Sequence, residues 1–487
     1  MRSASRQMER LGIPIVRSLR CRSIDSTTPD CPLALEGHFL FRLWHRFVSR
    51  EETGAQMAAG GEILTQYRGS RSIAQRVSEK WAFLLDSAFS SEAFLVRSLL
   101  HDVTSAAQLV PSAPERLRRH LLIPTVGKGN IGDQAMLEAF LANTTWSVTV
   151  VVEHNDGHAV PVSAAERVRK VVMPELFTTR PWVRSRIRPR LASLIASHAT
   201  LSVIGADVMD GGYGSVQSII RFGMLCMGNE VGTPNRALGF SWNGAPPREV
   251  KRALGLSQPR SLLCLRDPHS LARIRMAGDY NVIPTADMVF TLNTMEPYDR
   301  IRSWRSAQGD RALVIINVSG ILARNGVDSS EYVEVIRHLL RRGCSVVLLP
   351  HVIRAGDDDL TACGAVAAQL DASAHVHLVR DLLSPAQVAW LAAQATAILT
   401  GRMHLSILSL NHGVPSAVLS TQGKVSGLME LFDIPELTIE PQAGFAAQAL
   451  SVLDRILDDP KIRLRVSSAL PRVRELADKN FAGLEEC

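Results

Sequence analysis

Nowhere in the 487 residues does an apolar run reach the roughly 18 residues that a membrane-spanning helix needs. Aromatic residues make up only 5% of the chain, and no stacking or groove-reading module stands out, which argues against a nucleic-acid partner. The seven cysteines (21, 31, 226, 264, 344, 363 and 487) form no Cys-x-x-Cys pair and no Cys/His metal spacing. Cys264 and Cys344 fall in apolar, strand-like runs, so the thiols read as buried in a reducing compartment, the cytoplasm. What the chain does have is the 46% hydrophobic and 21% charged content of an ordinary soluble enzyme, and too much length for one core. Its net charge of +7 is uneven. The excess collects in residues 1–50 and in the run Arg180-Pro-Trp-Val-Arg184-Ser-Arg186-Ile-Arg188-Pro-Arg190, with no acid inside it. Such a run is either a solvated basic face or an attraction for an anionic membrane or lipid-linked phosphate.

Residues 1–60 have no sustained period and read as a basic extension; a transit peptide, or a true start at Met57, are the other readings. Residues 61–118 carry helical patterns, first around Trp81–Leu85 and then around Phe94–Leu100. From Leu121 strands and helices alternate: LLIPTV, SVTVVVE, LSVIGAD, RALGFSW and SLLCLRD. After a polar stretch at Thr291–Arg311 a second alternation begins, with strands at Ala312–Ser319, Cys344–His351, Val376–Arg380, Ala397–Thr400 and Ser416–Ser420. The expected fold class is α/β, with two Rossmann-like lobes whose parallel sheets face a central cleft. The lobes are expected at 61–295 and 296–435, with closing helices at 436–487.

The loops after the strands carry the polar chemistry. Gly401-Arg402-Met403-His404 follows the strand ATAILT and precedes a short apolar helix that stops at Gly413, with Pro415 forbidding continuation. An arginine and a histidine at a strand-to-helix turn, beside free backbone N–H groups, make an anion site with a titratable group built in. After LLIPTV comes Gly127-Lys128-Gly129-Asn130-Ile131-Gly132-Asp133, which fits GxGxxG, and Glu153 stands where a dinucleotide-binding acid would. Asp133 counts against that reading, because at the helix N-terminus it caps and would repel a pyrophosphate. It suits gripping or deprotonating a hydroxyl, with Asn130 as a substrate contact beside it.

In Gly205–Gly214 the glycines allow close approach of a ligand, and Asp207 and Asp210 can take sugar hydroxyls or simply cap a turn. Arg266 ends the strand SLLCL and reads as a ligand clamp facing the cleft; His351, after CSVVLL, faces the same cleft. The acid run Asp357-Asp358-Asp359 reads as a solvated loop. Lys424 lies one strand beyond the Arg-Met-His turn and joins the candidate substrate contacts.

One ordered set of motifs resembles the polysaccharide pyruvyl transferase family over residues 120–435: GNIGD at 129–133, the Gly/Asp loop at 205–214, GFSWN at 239–243, LRDPHS at 265–270, TADMVF at 285–290, GRMHLSI at 401–407, GVPSAVLS at 413–420 and GKVSGLMELFDI at 423–434. The resemblance implies lobes arranged as in type B glycosyltransferases. It also implies transfer of the enolpyruvyl part of phosphoenolpyruvate to sugar hydroxyls, usually as a cyclic ketal, with no cofactor. By the same resemblance Arg402, His404 and Arg266 hold the donor, Arg266 from the first lobe; the first lobe is expected to be the acceptor side and the second the donor side. Met403 stands where the family has leucine, and Ala206-Asp207 interrupts its run of glycines.

The chemistry agrees: arginine forks match a carboxylate and a phosphate, and protonating C3 makes C2 an electrophile. Histidine has the pKa for that task, which makes His404 the expected general acid and Asp133 the hydroxyl base or acceptor-orienting group. No step requires a metal. The expected partners are phosphoenolpyruvate, a sugar or lipid-linked oligosaccharide acceptor, and the inner face of an anionic membrane. Three other classes remain open. A nucleotide-sugar-dependent glycosyltransferase shares the fold but needs an acid pair in its second lobe that does not stand out. A nicotinamide enzyme would use GKGNIG, and a non-catalytic sugar binder would not need Arg-x-His at a helix start.

Overall fold

Strands and helices alternate through two sheets, each covered on both faces as its continuous apolar strands require. The structure, a computed structural model, describes residues 91–110, 116–420 and 424–486; the expected extension at 1–60 and the helical pattern around Trp81 lie outside them. The first sheet contains β1 (Leu117–Ile123), β2 (Ser147–Val152), β3 (Val168–Val172), β4 (His198–Ala206), β5 (Asn235–Phe240), β6 (Leu262–Leu265) and β7 (Val282–Pro284). Its order is β3-β2-β1-β4-β5-β6-β7, and every neighbouring pair is parallel. The second lobe adds β8 (Leu313–Ile316), β9 (Ser345–Leu348), a two-stranded antiparallel ribbon of β10 (Ile353–Arg354) and β11 (Asp357–Asp358), β12 (Val376–Leu378), β13 (Ala397–Thr400), β14 (Ser416–Leu419) and β15 (Thr438–Ile439). Its main sheet runs β12-β9-β8-β13-β14-β15, again all parallel.

Both sheets reverse their direction of growth beside their first strand, between β1 and β4 and between β8 and β13. At such a point the loops leave in opposite directions and open a crevice at the carboxyl ends of the strands. The four loops that do so are those following β1, β4, β8 and β13. Two of them are the glycine-rich loops singled out by sequence, and a third is the Arg-Met-His turn.

The helices that matter below are α1 (Glu92–Thr104), α2 (Ile131–Ala142), α3 (Pro181–Ala196), α4 (Ser215–Glu230), α5 (Pro268–Ala277), α6 (Asp359–Ala367), α7 (Met403–Leu410), α8 (Lys424–Leu431), α9 (Phe445–Asp458) and α10 (Pro460–Asp478). Strand β1 begins at Leu117, ahead of the expected Leu121, and stops before Pro124, which has no N–H for the ladder. Alternate residues of the first sheet divide between two apolar clusters. Leu121, Ile123, Val151 and Val203 pack on one face. Leu122, Val150, Val152 and Ile204 join a second cluster that continues through the second lobe and α10. The lobes therefore share part of one core.

After α10 the chain returns to the first lobe. Asn480 accepts from the Gly239 N–H at 3.0 Å and donates to the Ala286 carbonyl at 2.9 Å. Glu485 accepts from His120 Nε2 at 3.0 Å and from the Trp146 N–H at 2.9 Å. The arginine run on α3 is only partly a free basic face. Arg184 is buried and its Nε donates to Asp102 at 3.1 Å, while Arg188 reaches the same carboxylate at 3.2 Å. The run has no acid in sequence, but α1 supplies one in space. Among the described residues no helix is long and apolar enough to cross a membrane.

Candidate active site

A cavity of about 310 Å³ lies where the two switch points meet. The first lobe lines it with Thr125, Val126, Asn130 and Asp133 after β1, and with Ala206, Asp207, Val208 and Tyr213 after β4. The second lobe contributes Ile321, His351, Val352, Arg354, Asp357 and the whole turn Gly401–His404.

The loop after β1 is built to dock on the opposite lobe. Asn130, not Asp133, is the N-cap of α2: its Oδ1 accepts from the Gly132 N–H at 2.9 Å. Asp133 instead reaches back to the Gly127 N–H at 3.2 Å and closes the loop while still lining the cavity. Ile131 N–H donates to the His351 carbonyl at 3.2 Å, and Ile353 N–H donates to the Gly129 carbonyl at 2.8 Å. A Cβ on Gly129 would collide with the Ile353 carbonyl, and one on Gly132 with the His404 ring. The last two glycines of GxGxxG thus serve close approach between lobes, which accounts for the fingerprint without a pyrophosphate.

His404 stands in the first turn of α7, with Arg402 as the non-helical N-cap. Its Nε2 is buried, has no hydrogen-bond partner among the described residues, and lies 3.6 Å from Asp287 Oδ2. Asp287 is 1% exposed; its Oδ1 accepts from the Val289 N–H at 3.0 Å and its Oδ2 from Arg266 Nη1 at 2.8 Å. Burial pushes the Asp287 carboxyl up, but His404 and Arg266 beside it more than offset this and hold it well below the carboxylate range. An anion is fixed next to the histidine.

Two expectations need correction. Arg266 does not open into the cleft: it is 1% exposed and lies behind Asp207, with Nε on Ser241 Oγ at 2.9 Å and its two terminal nitrogens on Asp287 and Asp207. Burial alone would lower its pKa, and Asp207 and Asp287 raise it instead, because a guanidinium leaves water only where carboxylates replace the water. Nor is the acid run 357–359 a solvated loop. Asp357 and Asp359 are buried and both bind Arg402, while Asp358 between them caps α6 through the Leu360 N–H at 2.9 Å. In an extended segment residues two apart share a side, which places the two acids together and sends the middle one away.

Arg402 donates from Nε and Nη2 to Asp359 at 3.2 and 2.6 Å, from Nη1 to Asp357 at 3.1 Å, and from Nη2 to the other oxygen of Asp357. Asp359 also accepts from Asn317 Nδ2 at 2.9 Å, from Gly320 N–H at 2.8 Å, and from His351 and Val352 N–H at 3.1 Å each. This one carboxylate ties together the loops after β8, β9 and β13. His351 lines the cavity at 1% exposure with neither ring nitrogen hydrogen-bonded among the described residues. Burial, then the neighbouring His404 and Arg402, pushes its pKa well below the usual histidine value, which favours the neutral ring.

The structure therefore gathers His404, Arg402, His351, Asn130, Asp133 and Asp207 around one cavity. Asp210 is placed elsewhere: fully buried, it holds the Gly212 N–H at 2.9 Å within its own turn. The side chain of Lys424 lies outside the described residues. Sequence reasoning missed Asp287, Asp357, Asp359, Ser241 and Asn317. Asn317, Ser241 and Asp287 each lie just past the carboxyl end of a strand, and that position was the available signal.

Two Rossmann-like lobes, with arginines, histidines and acids converging at both switch points, define a two-lobed α/β protein with a polar cavity between the lobes. Its fold is similar to that of a Listeria monocytogenes protein described as a UDP-N-acetylglucosamine 2-epimerase, at a TM-score of 0.53 and 12% identity over 76% of this chain and 97% of that one. The S. aureus MnaA–UDP complex gives 0.52 and 13% over 74% and 94%. At such identities the likeness is one of fold alone. The family model for polysaccharide pyruvyl transferase matches residues 130–423, and the chain belongs to that family. It is also 24% identical over 233 residues to the amylovoran biosynthesis protein AmsJ of Erwinia amylovora, which is 45% of this chain and 56% of AmsJ. The chain thus spans little more than half the length of that relative.

Proposed function

We propose that the protein moves the enolpyruvyl group of phosphoenolpyruvate onto two hydroxyls of a sugar, in a polysaccharide or a lipid-linked glycan precursor, to give a pyruvate ketal and inorganic phosphate. The observation that carries this reading is the pairing of His404, whose Nε2 has no hydrogen-bond partner among the described residues, with the fixed anion Asp287, in a cavity walled by Arg402. Asp287 stabilises the imidazolium that a proton donor needs, and the docked loop 129–132 keeps the ring in place.

His404 delivers a proton to C3, the methylene becomes a methyl, and C2 accepts the first sugar oxygen. That hydroxyl loses its proton to Asp133, which lines the same cavity from the acceptor side. The second hydroxyl then forms its bond to C2 as the C2–O bond to phosphate breaks, and its proton leaves with the phosphate. Arg402 and Arg354, which line the cavity, balance the carboxylate and phosphate charge. The exposed residues Arg186 and Arg190 of α3 are the part of the basic run that can meet an anionic membrane or lipid carrier. Phosphate release from phosphoenolpyruvate that depends on a glycan acceptor tests the reading; release of UDP from a UDP-sugar in its place would favour a glycosyltransferase.

A further inference from the structure

Each of the two arginines is held by a pair of unlike carboxylates. The inner member is fixed. Asp359 is fully buried and bound by three backbone N–H groups and Asn317, and Asp287 caps the turn Met288–Thr291. The outer member lines the cavity: Asp207 on Arg266 and Asp357 on Arg402. Asp357 belongs to the short β10–β11 ribbon, whose turn holds Gly356 at φ +77°, and Arg354 stands 3.5 Å away as a second cation for it. Asp207 follows Ala206, a non-glycine residue at φ +42°, and its side chain keeps 26% of its exposure.

Arg402 has five N–H donors, and its contacts engage one on Nε, one on Nη1 and two on Nη2. An incoming anion therefore gains a planar fork on Arg402 only by taking the place of an aspartate. His351 supplies an independent sign that a polar ligand belongs here: it is 1% exposed on the same cavity, with both ring nitrogens lacking partners among the described residues.

We propose that Asp207 and Asp357 are exchangeable stand-ins for the donor's anionic groups, displaced from Arg266 and Arg402 when the donor binds, and that the released Asp207 then takes a hydroxyl of the acceptor. Carboxylate replaces carboxylate, so the guanidinium geometry set by Asp287 and Asp359 is kept. The acceptor side gains a second carboxylate beside Asp133 only once the donor is in place, which makes binding ordered, donor first. The inference rests on the phosphoenolpyruvate reading for the donor's identity, but the exchange itself concerns any small anion.

The test is calorimetric titration of the full chain and of Asp207→Asn, Asp357→Asn and Asp359→Asn with phosphoenolpyruvate and, separately, with inorganic phosphate. Circular dichroism checks each fold, and Asp207→Ser and Asp357→Ser replace any asparagine variant that fails it. The expected result is affinity raised about tenfold or more in the two outer variants, lowered in Asp359→Asn, and acceptor-dependent turnover lost in Asp207→Asn. Folded outer variants that bind phosphoenolpyruvate no better than the parent overturn the exchange and leave the donor reading standing. A parent that ignores phosphoenolpyruvate, with phosphate binding that tightens in the outer variants, does the reverse. Absence of binding of either ligand to the folded parent overturns both.

Discussion

His404 is pressed from two sides, by Gly132 of the opposite lobe against its ring and by the Asp287 carboxylate 3.6 Å from its Nε2. Replacing it with glutamine keeps bulk and a hydrogen-bond donor but removes the proton, so His404→Gln is expected to bind phosphoenolpyruvate while turnover falls about 10²–10⁴-fold. Stopped-flow phosphate release reads that split, and near-normal turnover would make the histidine a structural residue. Arg266 behaves differently because it is buried between two acids. Arg266→Ala leaves those carboxylates uncompensated and is expected to destabilise the fold by about 3–5 kcal/mol, readable by urea denaturation. A loss under about 1 kcal/mol would show that the acids find other partners or protons.

At the scale of elements, the loop Gly127–Asp133 is an inter-lobe latch whose backbone bonds reach His351 and Ile353. Gly132→Ala places a methyl group against the His404 ring and should cost roughly 10²-fold in kcat through misplacement of the ring, together with about 1–3 kcal/mol of stability from overpacking. Gly255→Ala, in an exposed helix with open space around it, is the control; it should gain about 0.5–1 kcal/mol in stability and leave kcat alone. The strands, and the loops that bear the site, were legible in sequence because continuous apolar runs ended in Gly, Asp, Arg or His at regular intervals. What those loops touch was not legible. Nothing in TADMVF says that Asp287 will meet an arginine 21 residues earlier and a histidine of the other lobe. The same gap made Arg266 look like an exposed clamp, the 357–359 run look solvated, and the α3 arginines look unopposed until α1 supplied Asp102. Burial and partner choice are set by tertiary contact, and a single sequence prints only local pattern.

At the scale of the whole molecule, two sheets that share one strand order, the first with an extra edge strand, share an apolar core and a returning C-terminal tail, and a polar cavity lies between them. Six histidines of this frame, His120, His158, His198, His351, His377 and His412, have pKa values lowered chiefly by burial. Each binds a proton more readily unfolded than folded. Their contribution is complete above the unfolded value of about 6.5 and is lost as pH falls below it, at up to about 1.4 kcal/mol per pH unit for each group. Denaturation midpoints should therefore drop steadily from pH 7 to pH 5, and a flat profile would contradict the burial of these rings as neutral groups. The proposed reaction protonates phosphoenolpyruvate at C3 in this cleft and passes its enolpyruvyl group to a glycan. The most direct measurement uses deuterated water, phosphoenolpyruvate and a polysaccharide stripped of its ketals by mild acid, with phosphate and the product methyl group followed by NMR. Acceptor-dependent phosphate release with one deuterium in each new ketal methyl is the predicted result. Phosphate released without acceptor, or a glycan that gains no ketal, would contradict it.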